Sequence, residues 1–115
     1  MSDDLDQTLG ALADPTRRAV IGLLREGPRR SGELAEVLST SRPAMSRHLR
    51  VLRRARLVSE EILEDDARGR VYRLRPEPLG ELRGWLEEVE AFWEDQLDAF
   101  KAHAERTHDP SEPDR

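Results

Sequence analysis

The sequence contains no cysteine, which excludes disulfide bonds and thiolate metal sites and favours a protein of the reducing cytoplasm. It also lacks an apolar run of membrane-spanning length, because the longest such run, at 19–24, is interrupted by Gly22. The acidic N-terminal residues 1–4 do not resemble a secretory signal peptide. We therefore expect a cytoplasmic protein without a membrane-spanning segment.

Lysine is nearly absent as well, since Lys101 is the only one among 19 basic residues. The 115 residues have the size of one domain, and their formal net charge of −5 would argue against a nucleic-acid partner if it were spread evenly. It is not, because residues 1–76 carry a net charge of +3 and residues 77–115 carry −8. No acidic residue occurs between Ser39 and Ser59, whereas this stretch contains Arg42, Arg47, Arg50, Arg53, Arg54 and Arg56. A local cationic surface of this kind favours phosphate binding whatever the charge of the whole chain.

Hydrophobic periodicity predicts three short helices in the first third of the chain. Asp14 is a good N-cap for the second of them, and Pro15 fits its first position, where no hydrogen-bonded donor is lost. Gly27 with the proline after it ends this helix, and Ser31 is expected to cap the third. The predicted helices cover 4–13, 15–26 and 31–38. The residues expected on their inner faces are Leu5, Leu9, Leu12, Ala19, Val20, Leu23, Leu24, Leu34, Val37 and Leu38.

A fourth helix is predicted at 42–55, with Ser41 as its N-cap and Pro43 in the first turn. Met45, Leu49 and Leu52 recur about one turn apart and should face the core. The opposite face carries Arg42, Ser46, Arg47, Arg50, Arg53 and Arg54. A short helix, a tight polar turn and a second helix with a basic outer face are typical of a helix-turn-helix that reads DNA.

The N-terminal residues of a recognition helix reach base edges in the major groove, so Arg42, Ser46 and Arg47 are the candidates for base contacts. The arginines one and two turns later are better placed to hold phosphates. The complete set of DNA contacts expected from this helix is Ser41, Arg42, Ser46, Arg47, Arg50 and Arg54. Two alternatives stay open, namely a solvated basic face and a winged helix whose basic face binds an acidic protein.

Alternating residues predict a β-hairpin, or wing, directly after the basic helix, with strands at 57–63 and 70–74. The wing segment itself is expected at 64–70, where Arg68 and Arg70 should approach the DNA backbone. The carboxylates at 64–66 would repel that backbone, so only the arginine-bearing side should face it. A hairpin in this position favours the DNA-reading interpretation over a merely solvated helix face.

A long last helix is predicted at 79–103, with a length of roughly 37 Å at 1.5 Å per residue. A domain of this size has a radius of gyration of about 13 Å, so its own core should leave much of this helix uncovered. The apolar positions expected to form a dimerisation surface are Leu82, Trp85, Leu86, Val89, Phe92, Trp93 and Phe100. The alternative is that these side chains fold back onto the helices of their own chain. After one domain at 1–103, the polar residues 104–115 are expected to form a disordered tail.

Two segments, LADPTRR at 12–18 and SRPAMSRHLRVL at 41–52, resemble the hallmark segments of the ArsR-type repressors. Residues 73–79, followed by Trp85-Leu86 and Phe92-Trp93-Glu94, are similar to one branch of that family. Members of this branch are often encoded beside proteins of the START-like (SRPBCC) fold, which bind lipids or other hydrophobic ligands. The resemblance covers nearly the whole chain and implies a winged-helix homodimer that binds operator DNA and usually represses transcription.

The sequence departs from the family pattern at three places. Arg56 stands where the family usually has glycine, so either the following turn is adjusted or Arg56 adds a phosphate contact. The segment at 61–69 is longer than the usual wing. Arg42 replaces the commoner glutamine at the start of the recognition helix, which should alter the preferred operator bases.

Many relatives sense metals through cysteines on the third helix or through aspartate and histidine on the last. The third helix here has neither cysteine nor histidine, so the candidate ligands are Asp98 and His103, paired between two chains. A structural or phosphate-contacting role is expected for His48, and His108 belongs to the predicted tail. No Ser–His–acid set, carboxylate pair or glycine-rich phosphate loop occurs, so we expect neither an enzyme nor a bound cofactor.

The predicted fold is mainly α-helical with a small β-hairpin (α+β), a winged helix-turn-helix of about five helices with a long C-terminal dimerisation helix. The predicted function is that of a homodimeric regulator that binds an imperfect palindrome in double-stranded DNA through 42–55 and 64–70. A metal-sensing repressor of the same fold and a winged-helix protein-interaction module are the alternatives.

Overall fold

The computed structural model describes residues 3–62 and 70–107, which form five helices and three strands. The helices are α1 (Asp3–Ala11), α2 (Pro15–Leu24), α3 (Ser31–Val37), α4 (Arg42–Arg54) and α5 (Glu77–Thr107). The strands are β1 (Arg29–Arg30), β2 (Val58–Ile62) and β3 (Arg70–Leu74). This helix-rich α+β architecture confirms the predicted fold class. Within the described residues, no helix is both long and apolar enough to cross a membrane.

The strands form one antiparallel sheet in the order β1-β3-β2. In the β2–β3 hairpin, Val58 pairs with Leu74 and Ile62 pairs with Arg70. The third strand, β1, pairs with β3 and was not predicted from the sequence. Two consecutive arginines carry no alternating pattern, and β1 exists only because the distant β3 offers it hydrogen-bonding groups.

The core lies where α2, α3 and α4 pack against the sheet. Its fully buried large side chains are Leu34, Met45, Leu49, Leu52, Leu57 and Val20. Burial of each such side chain contributes roughly 1.5–3 kcal/mol, so these residues fix the position of α4. The predicted burial of Val37 is wrong, because this last residue of α3 is 55% exposed in the single chain. Leu9 of α1 is also 37% exposed.

Several predicted helix ends shift by a few residues. Ser31 is the first residue of α3 rather than its cap, because Arg30 occupies the N-cap position and its backbone N–H donates to Glu33 Oε1 (3.4 Å). α1 ends at Ala11 instead of continuing to residue 13.

Helix α5 differs from its prediction at both ends. It begins at Glu77 because Pro78 fits the first turn of a helix, where no backbone donor is needed. It extends to Thr107 because Ala104 and Arg106 are good helix formers, so residues 104–107 of the predicted tail are helical. Residues 108–115, including His108, lie outside the described residues.

The chain divides into two compact units, Met1–Leu82 and Arg83–Arg115. The first unit contains α1 to α4, the sheet and the beginning of α5, and the second contains the remainder of α5. All the predicted DNA-binding residues therefore lie in the first unit. The predicted dimerisation residues lie in the second, with the exception of Leu82.

Candidate nucleic-acid interface

Helix α4 is strongly amphipathic. Ser41 caps it as predicted, since Ser41 Oγ accepts a hydrogen bond from the backbone N–H of Ala44 (3.2 Å). Met45, Leu49 and Leu52 are all buried, which confirms the predicted inner face. The helix is therefore anchored to the core along one side over its full length, and the other side is available for a ligand.

The outer side of α4 is basic and exposed. The predicted DNA-binding residues on this side are Ser41, Arg42, Ser46, Arg47, Arg50 and Arg54, and each is exposed. At 100° per residue the five that follow the Ser41 cap fall within an arc of about 140° around the helix axis. Among residues 3–62 and 70–107, none of these arginines forms an ion pair or a side-chain hydrogen bond. Four guanidinium groups are thus free to meet phosphates or base edges.

The turn between α3 and α4 sets the angle of the recognition helix. Ser39 adopts a left-handed conformation (φ 51°), and the backbone N–H groups of Ser39 and Thr40 donate to Glu36 O (3.2 Å) and Ala35 O (2.9 Å). These two bonds form a Schellman motif, which ends α3 and reverses the chain within three residues. The connection between the two helices of the helix-turn-helix is therefore a hydrogen-bonded backbone turn.

The side chain of Arg42 lies against α3. A Cβ atom at Gly32 would be 3.6 Å from Arg42 Nη2, which is an ordinary van der Waals distance. Arg42 is exposed and is the first residue of α4. Its guanidinium therefore lies beside the first turn of α3 without requiring glycine at position 32.

Arg17 of α2 contacts both α1 and α4, a role that was not predicted from the sequence. Its Nε donates to Ala11 O (2.7 Å) and its Nη2 donates to Gly10 O (3.3 Å), so it satisfies carbonyls at the end of α1. Its Nη1 lies 3.3 Å from His48 Nδ1 on α4. His48 is therefore half-buried in a structural contact, as one of its predicted roles required.

Asp14 caps α2 as predicted. Its Oδ1 accepts from the backbone N–H groups of Thr16 (2.8 Å) and Arg17 (3.2 Å). Desolvation raises the pKa of this carboxyl, but the two backbone hydrogen bonds and the nearby charges of His48 and Arg17 outweigh it. The net effect lowers the pKa of Asp14 below its ordinary value.

A carboxylate ties the wing to the recognition helix. Glu60 of β2 pairs with Arg53 of α4 (Oε1–Nη1 2.9 Å) and with Arg70 of β3 (Oε2–Nη1 3.3 Å). The hydroxyl of Tyr72 donates to the same Oε2 (3.0 Å). We call these four residues the Glu60 cluster. Of the two predicted wing contacts, Arg70 is exposed but paired, and Arg68 lies outside the described residues with the rest of 63–69.

The Glu60 cluster also affects the phenol of Tyr72. Burial of the ring, together with the hydrogen bond to Glu60 and the negative charge of that residue, raises the pKa of Tyr72 above its ordinary value. Tyr72 therefore stays a neutral donor to Glu60 throughout the neutral range.

Residues 14–60, which contain the helix-turn-helix and the start of the wing, match the family described as "Bacterial regulatory protein, arsR family". The chain is 43% identical over 95 residues to the HTH-type transcriptional regulator Rv2034 of Mycobacterium tuberculosis, and the match covers 83% of each protein. It is 36% identical over 56 residues to the transcriptional repressor SdpR of Bacillus subtilis, which covers 49% of this chain and 62% of that protein. The solved structure of an ArsR-like transcriptional regulator from Rhodococcus sp. RHA1 matches with a TM-score of 0.78 and 30% identity, over 91% of this chain and 94% of its own.

The chain belongs to the ArsR family of transcriptional regulators. The resemblance seen in the two hallmark segments is thereby confirmed at the level of the family. The relatives are transcriptional regulators with a helix-turn-helix fold and not enzymes, which also agrees with the sequence prediction. ArsR-type regulators bind DNA, so the basic face of α4 is the candidate nucleic-acid interface of this regulator.

The structure resolves one of the departures from the family pattern. Arg56 has a positive φ of 62°, which is the left-handed conformation that glycine adopts most easily. The turn is therefore formed in the ordinary way, with arginine held in a backbone conformation suited to glycine. Arg56 is also exposed, so a phosphate contact by its side chain stays a prediction.

The second unit of the regulator carries an exposed apolar face. Phe92, Trp93 and Phe100 are each more than 60% exposed in the single chain, and Leu86 and Val89 are more than 40% exposed. Trp85 is half-buried. Leu97 is also exposed and was not among the predicted residues, although its spacing of four from Trp93 could have revealed it.

No group of three or more histidine, cysteine, aspartate or glutamate side chains suited to a metal ion occurs in the described parts of the chain. Asp98 and His103, the predicted candidates for a ligand pair between chains, are both exposed on α5. Five residues separate them, so one helix does not direct both side chains to the same point.

Proposed function

We propose that this ArsR-family regulator is a homodimeric repressor that binds an imperfect palindrome in double-stranded DNA. The observation that carries the proposal is the exposed basic face of α4, where Arg42, Arg47, Arg50 and Arg54 have no carboxylate partner among the described residues. Arg42, Ser46 and Arg47 read base edges from the N-terminal half of the helix. Arg50 and Arg54 hold phosphates, and Ser41 lies at the entrance of the groove. The similarity to SdpR, a transcriptional repressor, supports repression rather than activation.

Dimerisation through α5 is the second part of the proposal. Burial of one large apolar side chain contributes roughly 1.5–3 kcal/mol, and the exposed face of α5 contains at least six such residues. A second copy of the same helix offers the complementary apolar surface and, through a two-fold axis, a second recognition helix. Two recognition helices about 34 Å apart match one turn of DNA, which accounts for the palindrome.

The dimer is tested by sedimentation of the Trp93→Ala variant. We expect this variant to shift toward monomer at a concentration where the wild type is a dimer, because a large side chain leaves the interface. Asp95→Ala is the matched control, since Asp95 lies on the opposite side of the helix. A wild type that is monomeric at micromolar concentration contradicts the proposal.

DNA binding is tested by selection of bound sequences from a random duplex pool, with and without a chelator. We expect a two-fold symmetric sequence in both cases. Arg47→Ala should lower affinity for the selected sequence by roughly 5- to 150-fold and relax one base position, because a bidentate contact discriminates by about 1–3 kcal/mol. Arg54→Ala should weaken binding to all sequences alike and reduce the salt slope by about 1.8, which is about 0.9 for each of the two copies in the dimer. An unchanged affinity of Arg47→Ala for the selected sequence contradicts the assignment of α4.

The chelator arm also distinguishes the metal-sensing alternative. A repressor that senses metal through Asp98 and His103 requires zinc or nickel to change its DNA affinity, whereas the proposed metal-independent repressor binds equally well with and without chelator. We also propose that the protein is cytoplasmic and that its gene lies beside a gene for a START-like protein. Cell fractionation tests the first proposal, and inspection of the neighbouring genes tests the second.

A further inference from the structure

Glu60 contacts three side chains, one on α4 and two on β3. One carboxylate oxygen meets Arg53 at 2.9 Å, and the other meets Arg70 at 3.3 Å and the Tyr72 hydroxyl at 3.0 Å. The side chain of Glu60 is only 22% exposed, whereas those of Arg53 and Arg70 are 45% and 53% exposed. The Glu60 carboxylate is thus less exposed than the two guanidinium groups with which it pairs.

Arg53 and Arg70 differ from the other described arginines of the candidate interface because each is paired with a carboxylate. Arg53 is followed directly by Arg54, which is also exposed but has no ion-pair partner among the described residues. A guanidinium already paired with a carboxylate has its charge partly compensated, so it releases fewer counterions when it approaches a phosphate. The protein therefore carries two arginines, one on α4 and one on β3, whose attraction for DNA is reduced by its own carboxylate.

We propose that Glu60 is a specificity-determining residue that limits the sequence-independent attraction of this regulator for DNA. Phosphate contacts add affinity for every sequence, whereas base contacts add affinity only for the operator. By compensating Arg53 and Arg70, Glu60 lowers the first contribution and leaves the base-reading residues of α4 unchanged. This inference rests on the proposed DNA-binding function.

The test replaces Glu60 by glutamine, which removes the charge and keeps an amide oxygen to accept from Tyr72. Each additional phosphate contact steepens the salt dependence of binding by about 0.9, which is about 3.5-fold between 50 and 200 mM salt. Glu60→Gln adds one net positive charge per protomer, or two in the proposed dimer, so its salt slope on a random-sequence duplex should steepen by about 1.8. Its affinity for that duplex should exceed that of the wild type at 50 mM salt and should fall about 12-fold more between 50 and 200 mM salt. Its ratio of operator to random-duplex affinity should fall.

Glu61→Gln is the matched control. It changes the net charge by the same amount one residue along β2, where the side chain points to the opposite face of the hairpin and pairs with Arg73 at 2.9 Å. We expect Glu61→Gln to change random-duplex affinity by less than twofold. If both variants behave alike, or if Glu60→Gln leaves the salt slope unchanged, the inference is wrong.

A second pair of variants tests the inference even if Glu60→Gln does not fold. In the otherwise wild-type protein, Arg53→Gln should lower random-duplex affinity less than Arg54→Gln does, because Glu60 already compensates part of the Arg53 charge. Arg54→Gln should reduce the salt slope by about 1.8 in the proposed dimer. Equal losses for the two arginines overturn the inference. A wild type that binds no duplex at all overturns the proposed function instead, so the two failures are distinguishable.

Discussion

Arg56 provides a direct test of how the recognition helix ends. Its backbone N–H donates to Arg53 O (3.0 Å), and that of Leu57 donates to Leu52 O (3.0 Å), which together form a Schellman motif with Arg56 in the left-handed position. Leu52 and Leu57 are both fully buried beneath this turn. The turn is therefore held by the core, and Arg56 has to adopt a conformation that its Cβ disfavours.

The magnitude follows from two opposing contributions. The left-handed conformation costs an L-residue with a Cβ about 1–2 kcal/mol, and glycine avoids this cost. Glycine also makes the unfolded chain more flexible, which takes back about 0.4–1 kcal/mol. Arg56→Gly should therefore raise the free energy of unfolding by about 0.5–1 kcal/mol. At about 4 °C per kcal/mol for a chain of this size, the midpoint of thermal unfolding should rise by about 2–4 °C.

The assay is thermal unfolding followed by circular dichroism at one fixed protein concentration, because dimer formation makes the midpoint depend on concentration. Arg56→Ala is the control, since it removes the same guanidinium but keeps the Cβ and should change stability by less than about 0.5 kcal/mol. Arg50→Gly removes an arginine from the interior of α4 and should lower stability by about 0.5–1 kcal/mol. If Arg56→Gly is no more stable than Arg56→Ala, backbone strain at this position is not the reason for the usual glycine.

Two further predictions concern the elements that hold α4 in place. The lowered pKa of Asp14 means that its contribution to folding is present above the ordinary pKa of aspartate, 3.8, and is lost as the pH falls through the folded-state value. Asp14→Asn should therefore flatten the loss of thermal stability as the pH falls below 3.8. Parallel acid profiles would exclude this role. Leu49→Ala should lower the free energy of unfolding by about 2–5 kcal/mol in denaturant titrations, because Leu49 is buried. Val51→Ala, on the exposed side of α4, should lower it far less. Similar losses for the two variants would mean that α4 is not anchored by its inner face.

The sequence predicted the helix-turn-helix well because its signals are local. Asp14 and Ser41 cap the helices that they were expected to cap, and β3 begins and ends where the alternation did. Capping and amphipathic spacing depend on residues within one or two turns, so they can be read without knowledge of the tertiary structure. The helix ends were less accurate because the last turn of a helix depends on what it packs against.

The exposure of Val37 illustrates what local spacing cannot provide. Val37 has helical spacing from Leu34, and the same pattern that placed Leu34 in the core placed Val37 there too. The short α3 ends at Val37, and it is the following C-cap residue, Leu38, that packs against the core. Burial at the end of a helix depends on the neighbouring elements, which periodicity does not describe.

The Glu60 cluster could not have been found from the sequence, because it depends on the register of the hairpin. Glu60 stands opposite Tyr72, which places their side chains on the same face of the sheet and brings Glu60 near Arg53. A shift of one residue between β2 and β3 would place Glu61 opposite Tyr72 and turn Glu60 to the other face. The intervening segment at 63–69 is too long for a fixed two-residue turn to set the register from sequence alone. From the sequence, Arg70 was predicted to contact the DNA backbone. The pairing of the strands adds that Arg70 has a carboxylate partner, Glu60, which changes the expected attraction of Arg70 for DNA.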